Sequence, residues 1–405
     1  MRILLTALAS RIIEHGHLEI EFADGTIQTF GDGSGQRIAV RFSDRRGPLD
    51  LVLNPELALG ELFMDGRLEM AEGSIYDFLS LVSANAVRRK PPALMKAIRI
   101  ARDAKNALLV RNGRRRALAN SAHHYDLDGR LYDLFLDDDR QYTCAYFERP
   151  DMSLDEAQLA KKRHIAAKLI VEPGHRALDI GCGWGGMALY LARVCGAEVV
   201  GVSLSKEQLS VARERAQKGG LAGRISFRLE DYRDTQGVFD RIVSVGMLEA
   251  VGPAQLGVYF AKVASLLDSD GVALIHTIGK VDGPGAANPW LTKYIFPGGY
   301  VPSMSELAAA IEASGLYLVD VEVLRMHYAE TLKAWRERFL ARRDEAKALY
   351  DERFCRMWEF YLALCEVAFR VDGECVFQVL LAKQHDTVPI TRDYIAEREQ
   401  TLRGP

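Results

Sequence analysis

The sequence lacks any apolar run that approaches the roughly 20 residues needed to cross a bilayer. Its amino terminus, MRILLTALASRII, is briefly apolar but continues into Glu14 without a clear signal-peptide cleavage site. We therefore expect it to form the first amphipathic helix of a cytoplasmic protein. Paired cysteines are lacking too, since the six cysteines are scattered and none belongs to a Cys-x-x-Cys motif. This spacing argues against a zinc site, and reduced thiols with no bound metal are expected.

A strong overall charge is a third feature that the sequence lacks. The 52 Lys and Arg residues nearly balance the 55 Asp and Glu residues, and the formal net charge is −3. Residues 88–116 are nevertheless polarised, because eleven basic side chains and one acid give them a net charge of +10 and leave −13 on the rest of the chain. Nucleic acid and an anionic membrane surface are both suitable partners for such a segment.

Strand and helix signals divide the chain into three predicted parts. Residues 1–87 alternate short β-like segments with turn signals, including an Asp24-Gly25 hairpin turn, and predict a small α+β domain. The basic segment belongs to a predicted helical linker or arm at 88–120. In 121–405, strands alternate with helices, which predicts an α/β fold with a doubly wound, mostly parallel seven-stranded sheet and a helical insertion at about 325–372. The strands are predicted at 176–180, 197–202, 225–229, 239–246, 271–279, 316–324 and 375–383.

A glycine-rich loop follows the first predicted strand of this sheet and opens a helix. In ALDIGCGWGG (177–186), three glycines satisfy the Gly-x-Gly-x-x-Gly pattern, in which missing Cβ atoms let the backbone approach a nucleotide. A dinucleotide site also requires an acid at the end of the second strand, but that strand ends at Ser203 without a carboxylate. Asp179 instead precedes the first glycine. This arrangement resembles the first motif of S-adenosylmethionine-dependent methyltransferases and favours that cofactor over a nicotinamide; a tight turn without a ligand is the structural alternative.

Longer motifs occur in order from about residue 120 to the carboxyl terminus. They include YTCAYF (142–147), FDRIVSVGMLEAVG (239–252), LIHTIG (274–279), HYAETLKAW (327–335) and FYLALCEVAFR (360–370). With the glycine loop, they resemble the motifs of cyclopropane-fatty-acyl-phospholipid synthases, and NPELALGELFMDG (54–66) resembles the small leading domain of the bacterial members. The resemblance implies a Rossmann-like class I methyltransferase fold. It also implies methyl transfer from S-adenosylmethionine to the cis double bond of an unsaturated phospholipid acyl chain, which forms a cyclopropane fatty acid.

The resemblance further implies a set of site residues at the matching positions of this sequence. The implied cofactor-binding residues, including those of the glycine loop and the end of the third strand, are Tyr142, Thr143, Asp179, Gly181, Cys182, Gly183, Gly185, Ser203, Gln208, Asp231 and Tyr232. The residues implied to hold a bicarbonate ion near the transferred methyl group are Cys144, Glu249, His276, Ile278 and Tyr328. Cys365 matches a cysteine that is sometimes assigned as catalytic in the family.

The chemistry of such a reaction sets independent requirements on the site. An alkene is a weak, uncharged nucleophile, so the enzyme must align it with the methyl donor and exclude water, which would trap the carbocation. A base must then take a proton from the transferred methyl group, and bound bicarbonate suits this role, with Glu249 accepting its proton or orienting it. The structural alternatives are a hydrogen-bonded core histidine at His276, core packing at Tyr328 and Cys144, and an inert buried thiol at Cys365.

One departure from the family pattern concerns the product. Familiar synthases have histidine directly after the equivalent of Glu249, whereas this sequence has Ala250. Loss of an imidazole beside the ion site can change the fate of the carbocation. Besides the cyclopropane product, two functions therefore remain open: the same methyl transfer ending in a methylene- or methyl-branched lipid, and a non-catalytic lipid-binding protein that keeps the fold.

The implied lipid substrate also bears on the partners of the protein. An enzyme without a spanning helix must still reach acyl chains, and a basic arm with an apolar face can hold it peripherally on anionic headgroups. The alternative is a solvated linker. No nucleic-acid partner is expected, because no Asn-Pro-Pro-aromatic motif is present to grip a flipped base. A homodimer is a further expectation.

Replacing Arg114, Arg115 and Arg116 with Gln should weaken binding to anionic vesicles at low salt. Each basic residue near such a surface contributes about 1 kcal/mol of attraction, which salt screens. Co-sedimentation with vesicles at low and high salt measures the effect. If the variant binds as well as the unmodified chain, the basic segment is only a linker.

Overall fold

A computed structural model describes residues 2–87 and 128–403 of the chain. The predicted arm at 88–120, with the helix expected in it, lies outside the described residues, and so do residues 121–127. Within the two described ranges, no helix is both long enough and apolar enough to cross a membrane.

The described elements comprise eleven strands and fifteen α-helices, numbered here in chain order. The strands are β1 (His17–Glu21), β2 (Ile27–Phe30), β3 (Arg37–Phe42), β4 (Leu68–Glu72), β5 (Arg176–Ile180), β6 (Glu198–Ser203), β7 (Ile225–Leu229), β8 (Phe239–Val245), β9 (Leu267–Lys280), β10 (Tyr317–Leu324) and β11 (Glu374–Ala382). The helices are α1 (Arg2–Ile12), α2 (Gly47–Leu53), α3 (Pro55–Met64), α4 (Ile75–Val87), α5 (Gly129–Tyr132), α6 (Leu154–Lys168), α7 (Gly186–Val194), α8 (Lys206–Lys218), α9 (Leu256–Leu266), α10 (Pro289–Tyr294), α11 (Met304–Ser314), α12 (His327–Ala341), α13 (Arg343–Leu349), α14 (Glu352–Arg370) and α15 (Asp393–Arg403). Short 3₁₀ helices cover Leu248–Ala250 and Pro253–Gln255.

The chain forms two compact units, each built from several segments. The small-sheet unit contains the described part of Met1–Lys105 together with Ala287–Pro297 and Ala329–Glu374. The large-sheet unit contains the described part of Asn106–Ala286 together with Gly298–Tyr328 and Cys375–Pro405. The three-part domain division expected from the sequence stays a prediction.

The small-sheet unit contains a four-stranded sheet in the order β2-β1-β3-β4. The Asp24-Gly25 turn joins β1 and β2 as an antiparallel hairpin, and a positive φ of 78° at Gly25 explains the preference for glycine there. Alternate residues of β1, Leu18 and Ile20, are buried, as the period of a half-buried strand requires. The predicted insertion at 325–372 is helical, and most of its large aromatic side chains are buried, including Trp335 and Trp358. Core packing is therefore their main role.

The large-sheet unit contains a seven-stranded sheet in the order β10-β11-β9-β8-β5-β6-β7. The pairs β5–β6, β6–β7, β5–β8 and β8–β9 are parallel, and β10 is antiparallel to β11. One face of the sheet packs against α6, α7 and α8, and the other packs against α9 and α11. The predicted doubly wound, mostly parallel sheet is confirmed, and each predicted strand is present with small shifts at its ends.

The strand order reverses between β5 and β8, since the chain runs from β5 outward to β7 and then returns to β8 on the other side. In open α/β sheets, the loops at the carboxyl ends of the strands separate at such a reversal and leave a crevice for ligands. The glycine loop follows β5 and Glu249 follows β8, so both predicted parts of the site lie at this edge of the sheet.

Two glycine-to-alanine substitutions should have opposite effects on stability. A Cβ at Gly60 in α3 would lie 2.3 Å from Nε1 of the buried Trp290, whereas a Cβ at Gly257 in α9 meets nothing within 4 Å. Gly60→Ala should lower the free energy of unfolding by about 1–3 kcal/mol through overpacking, and Gly257→Ala should be neutral or slightly stabilising. Urea unfolding midpoints of both variants measure this difference, and equal midpoints would contradict it.

Candidate active site

The glycine loop is shaped by three glycines with positive φ. The φ angles are 83° at Gly181, 53° at Gly183 and 84° at Gly185. A Cβ at Gly181 would lie 2.7 Å from the Met247 side chain, and one at Gly185 would lie 2.7 Å from the Phe227 ring. A Cβ at Gly183 meets no described atom within 4 Å. Gly181 and Gly185 therefore serve close packing, while Gly183 leaves the backbone accessible to a ligand, as the cradle of a nucleotide requires.

Asp179 lies on β5 two residues before this loop and is almost fully buried. Its Oδ2 atom has no hydrogen-bond partner in the described part of the chain. Burial raises the pKa of the Asp179 carboxyl to about 7, although the backbone N–H of Ala188 and the charge of Lys161 oppose the shift. Leaving a buried carboxylate oxygen unpaired is costly, so a ligand that supplies a donor or a positive charge fits this position.

The other predicted cofactor residues follow the neighbouring strands. Ser203 ends β6, and its hydroxyl accepts a hydrogen bond from the backbone N–H of Ser205 at 3.2 Å. Gln208 is buried in the first turn of α8, where its backbone N–H is capped by Ser205. Beyond β7, Asp231 forms an ion pair with Arg233 at 2.5 Å and the Tyr232 ring packs edge-on against Tyr259 at 5.3 Å between ring centroids. Cys182, within the glycine loop, is buried, and burial raises the pKa of its thiol.

Glu249 lies in the 3₁₀ helix after β8, and its carboxylate reaches the end of β9. Its Oε1 atom accepts a hydrogen bond from the backbone N–H of Ile278 at 2.6 Å. Its Oε2 atom is buried and has no hydrogen-bond partner among the residues described. Burial raises the pKa of the Glu249 carboxyl, while the Ile278 N–H opposes the shift. A carboxyl with a raised pKa and one free oxygen is suited to accept or share a proton.

His276 lies near the end of β9 and is almost fully buried. Its Nδ1 atom lies 3.3 Å from Nε2 of Gln378, and its own Nε2 has no partner in the described ranges. Burial, reinforced by the charges of Lys161 and Lys168, lowers the pKa of His276 well below its ordinary value. The imidazole is therefore neutral at physiological pH. Together with Glu249, it gives this edge of the sheet two buried polar atoms that have no partner among the described residues, one a carboxylate oxygen and the other an imidazole nitrogen.

Cys144 and Tyr328 belong to the same unit as Glu249 and His276. Cys144 is fully buried, and its thiol donates to the carbonyl oxygen of Ala145 at 3.2 Å. Tyr328 is buried in the first turn of α12. Cys365 lies on α14 in the small-sheet unit, and burial raises the pKa of its thiol well above the ordinary value. A protonated thiol is a poor nucleophile, which favours the inert alternative for Cys365.

Two buried polar residues of α6, which the sequence did not single out, hold the segment that carries Tyr142, Thr143 and Cys144. Lys161 Nζ donates to Oε1 of Gln141 and to Oγ1 of Thr143, each at 2.7 Å. Gln158 Nε2 donates to the carbonyl oxygen of Thr143 at 2.9 Å. Burial lowers the pKa of Lys161 to about 8. The capping box formed by Ser153 and Glu156 marks the start of this helix in the sequence. Its Lys-Lys-Arg-His run, however, is typical of a solvated face, so no local signal indicates the burial.

Comparison with known proteins supplies the family. A family model described as "Mycolic acid cyclopropane synthetase" matches residues 112–379, and a "Domain of unknown function (DUF7884)" matches residues 7–89. The chain belongs to the cyclopropane synthetase family. It is therefore an S-adenosylmethionine-dependent methyltransferase, as the resemblance in the sequence predicted.

Relatives of this family cover nearly the whole chain. A "Cyclopropane-fatty-acyl-phospholipid synthase" of Escherichia coli strain K12 is 39% identical over 370 residues, which span 87% of this chain and 94% of the relative. A "Probable fatty acid methyltransferase" of Pseudomonas putida is 36% identical over 392 residues, which span 94% of this chain and 96% of the relative. The crystal structure of mycolic acid cyclopropane synthase CmaA1 complexed with SAH and CTAB has a TM-score of 0.62 and 33% identity, and covers 65% of this chain and 97% of its own.

The charge state of Asp179 should make cofactor binding depend on pH. Because the pKa of Asp179 is about 7 before the cofactor binds, the carboxyl is neutral below this pH and anionic above it. S-adenosylmethionine carries positive charge, so its affinity should rise between about pH 6 and pH 7.5. Asp179→Asn should weaken binding about tenfold at the upper pH and remove the pH dependence.

Isothermal titration calorimetry across this pH range measures the affinity. Asp240→Asn is the control, because Asp240 accepts a hydrogen bond from Arg176 at the opposite end of the sheet. It should keep the pH dependence of the unmodified chain. An unaltered profile in Asp179→Asn would show that another group is responsible.

Proposed function

We propose that this protein transfers a methyl group from S-adenosylmethionine to the cis double bond of an unsaturated phospholipid acyl chain, and that bound bicarbonate removes a proton so that a cyclopropane ring closes. The observation that carries the proposal is a pair of buried atoms, Oε2 of Glu249 and Nε2 of His276, that have no partner in the described part of the chain and lie at the same edge of the sheet as the glycine loop. The cofactor suits the open backbone at Gly183 and the Oδ2 atom of Asp179, which has no partner among the described residues.

The acyl substrate is supported by the relatives. The Escherichia coli relative is named for cyclopropane formation on fatty acyl phospholipids, and it aligns over 94% of its length. The CmaA1 structure holds CTAB, a ligand with one long alkyl chain. This ligand supports an acyl chain, rather than a polar molecule, as the substrate of the proposed reaction.

The cofactor supplies an electrophilic methyl group, and bicarbonate, when bound, supplies the base. The chain itself contributes a donor and an acceptor at fixed positions. A neutral His276 can donate to an oxyanion, and Glu249, which the Ile278 N–H orients and whose pKa is raised by burial, can accept a proton from it. The burial of these groups also keeps water away from a cationic intermediate.

The first alternative is the same methyl transfer with a methylene- or methyl-branched product. This alternative is supported by the Pseudomonas putida relative, whose name, "Probable fatty acid methyltransferase", specifies methyl transfer but no ring. Ala250, which replaces the family histidine, is exposed in the 3₁₀ helix directly after Glu249. The second alternative, a non-catalytic lipid-binding protein, predicts no S-adenosylhomocysteine release.

We also propose peripheral attachment to the cytoplasmic membrane surface through residues 88–116, whose net charge of +10 suits anionic headgroups. We propose as well that the protein forms a homodimer. The chain is proposed to consist of a small amino-terminal domain, a basic arm and a catalytic domain.

The product of the reaction distinguishes these functions. The protein is incubated with methyl-labelled S-adenosylmethionine and vesicles of unsaturated phospholipid, and the fatty acyl products are analysed by mass spectrometry. The expected product has gained one CH₂ unit, has lost its double bond and resists mild hydrogenation. A reducible exocyclic alkene would overturn ring formation, and unlabelled lipid would overturn methyl transfer to acyl chains.

Glu249→Gln and Tyr328→Phe should each lower turnover by about 10²-fold or more, because each alters a group proposed to hold the bicarbonate ion or to accept its proton. The dissociation constant of S-adenosylmethionine should change less than about threefold, since neither group belongs to the cofactor site. Tyr317→Phe is the control, because Tyr317 is 49% exposed on β10. Turnover assays with vesicles and cofactor titrations measure both quantities, and full turnover in both site variants would remove the proposed ion site.

A further inference from the structure

We infer that Gln378 and Lys168 are positioning residues that fix the tautomer of His276, so that Nε2 of the imidazole carries a proton and offers a donor to the bound anion. This inference rests on the proposed function, in which His276 contacts bicarbonate. It assigns His276 the role of a neutral hydrogen-bond donor and excludes it as the base.

The three side chains form a continuous buried row. His276 lies on β9 and Gln378 on the adjacent β11, with 3.3 Å between Nδ1 of the imidazole and Nε2 of the amide. Lys168, the last residue of α6, places Nζ 2.9 Å from Oε1 of the same amide. The exposed fractions are 2% for His276 and Lys168 and 1% for Gln378, so the row is shielded from bulk solvent.

The orientation of the amide follows from the chemistry of lysine. An ammonium group has donors only, so its contact on Gln378 must be the carbonyl oxygen. The NH₂ group of the amide then faces the imidazole. Because that group also only donates, Nδ1 of His276 must be the acceptor. A neutral imidazole that accepts at Nδ1 carries its hydrogen on Nε2, and Nε2 is the buried atom without a partner among the described residues.

Lys168 is itself held as a donor. The carboxylate of Glu322 accepts from Lys168 and also accepts from Nε2 of His164, which lies 2.7 Å away. Burial opposes the charge on Glu322, but hydrogen bonds and charges from His164 and Lys168 lower its pKa to about 2. Burial lowers the pKa of Lys168, and the adjacent carboxylate counteracts this shift. On its other side, His164 Nδ1 lies 2.6 Å from Glu399. Because the Lys168 ammonium is anchored in this way, the Gln378 side-chain amide cannot flip and exchange its oxygen and NH₂ positions.

The direct test is the protonation of each nitrogen of His276, measured in the full chain by ¹H–¹⁵N NMR with ¹⁵N-labelled histidine. The signal is assigned by its loss in His276→Gln. We expect Nδ1 to have the chemical shift of an unprotonated nitrogen and Nε2 that of a protonated one across neutral pH. A protonated Nδ1 would overturn the inference. The measurement is made with Lys168, Gln378 and His276 all unmodified, and it requires no enzymatic activity.

Kinetics supply the second test. Gln378→Leu should raise the bicarbonate concentration for half-maximal turnover about tenfold, since the donor at Nε2 is no longer fixed, and should leave the KM for S-adenosylmethionine unchanged. Lys168→Arg, which keeps a donor-only side chain, should retain the wild-type tautomer. Gln384→Leu, at an exposed site beyond β11, is the matched control.

The two tests separate this inference from the proposed function. If His276 has the predicted tautomer but turnover does not depend on the bicarbonate concentration, the ion site is overturned and the positioning of His276 by Gln378 and Lys168 stands. If turnover requires bicarbonate but Nδ1 of His276 is protonated, only the positioning role is overturned. The same holds if turnover requires bicarbonate and Gln378→Leu needs no more bicarbonate than the unmodified chain.

Discussion

Val245 of β8 lies opposite His276 of β9 in a parallel ladder, and this pairing sets the positions of Glu249 and His276 in the proposed ion site. Four residues beyond Val245, Glu249 turns back to accept the backbone N–H of Ile278, two residues beyond His276. The carboxylate thus joins the ends of two neighbouring strands. Because side chains alternate between the faces of a sheet, a shift of one residue in this register would turn His276 away from Gln378 and Lys168.

The site combines dense polar bonding with a few unpaired atoms. On α6, the buried ammonium groups of Lys161 and Lys168 each donate to two acceptors. In contrast, one oxygen of Asp179, one oxygen of Glu249 and one nitrogen of His276 lack partners within the described chain. Each unpaired buried group costs about 1–3 kcal/mol, so three of them at one sheet edge indicate ligand contacts more readily than packing.

Local signals in the sequence were sufficient to predict much of the fold and part of the site. Strand periodicity located all seven strands of the large sheet, and the Asp24-Gly25 turn located the hairpin, because both depend on neighbouring residues. The glycine loop and the position of Asp179 before it were predicted for the same reason, and their role in binding the cofactor stays a prediction. The row from Lys168 to His276 could not be found, since it joins α6, β9 and β11 across about 210 residues of sequence. Nor could local patterns show that Ala287–Pro297 and Ala329–Glu374 pack in the unit of the small sheet.

We propose that the edge of the sheet formed by Glu249 and His276, with the Ile278 N–H orienting the Glu249 carboxylate, holds bicarbonate as the base. The most direct measurement is turnover with unsaturated phospholipid vesicles in buffer freed of carbon dioxide, followed by titration with bicarbonate and, separately, with chloride. We expect turnover to be low in the depleted buffer and to be restored by bicarbonate to a saturating value, whereas chloride should have no such effect. Full turnover in the depleted buffer would contradict it.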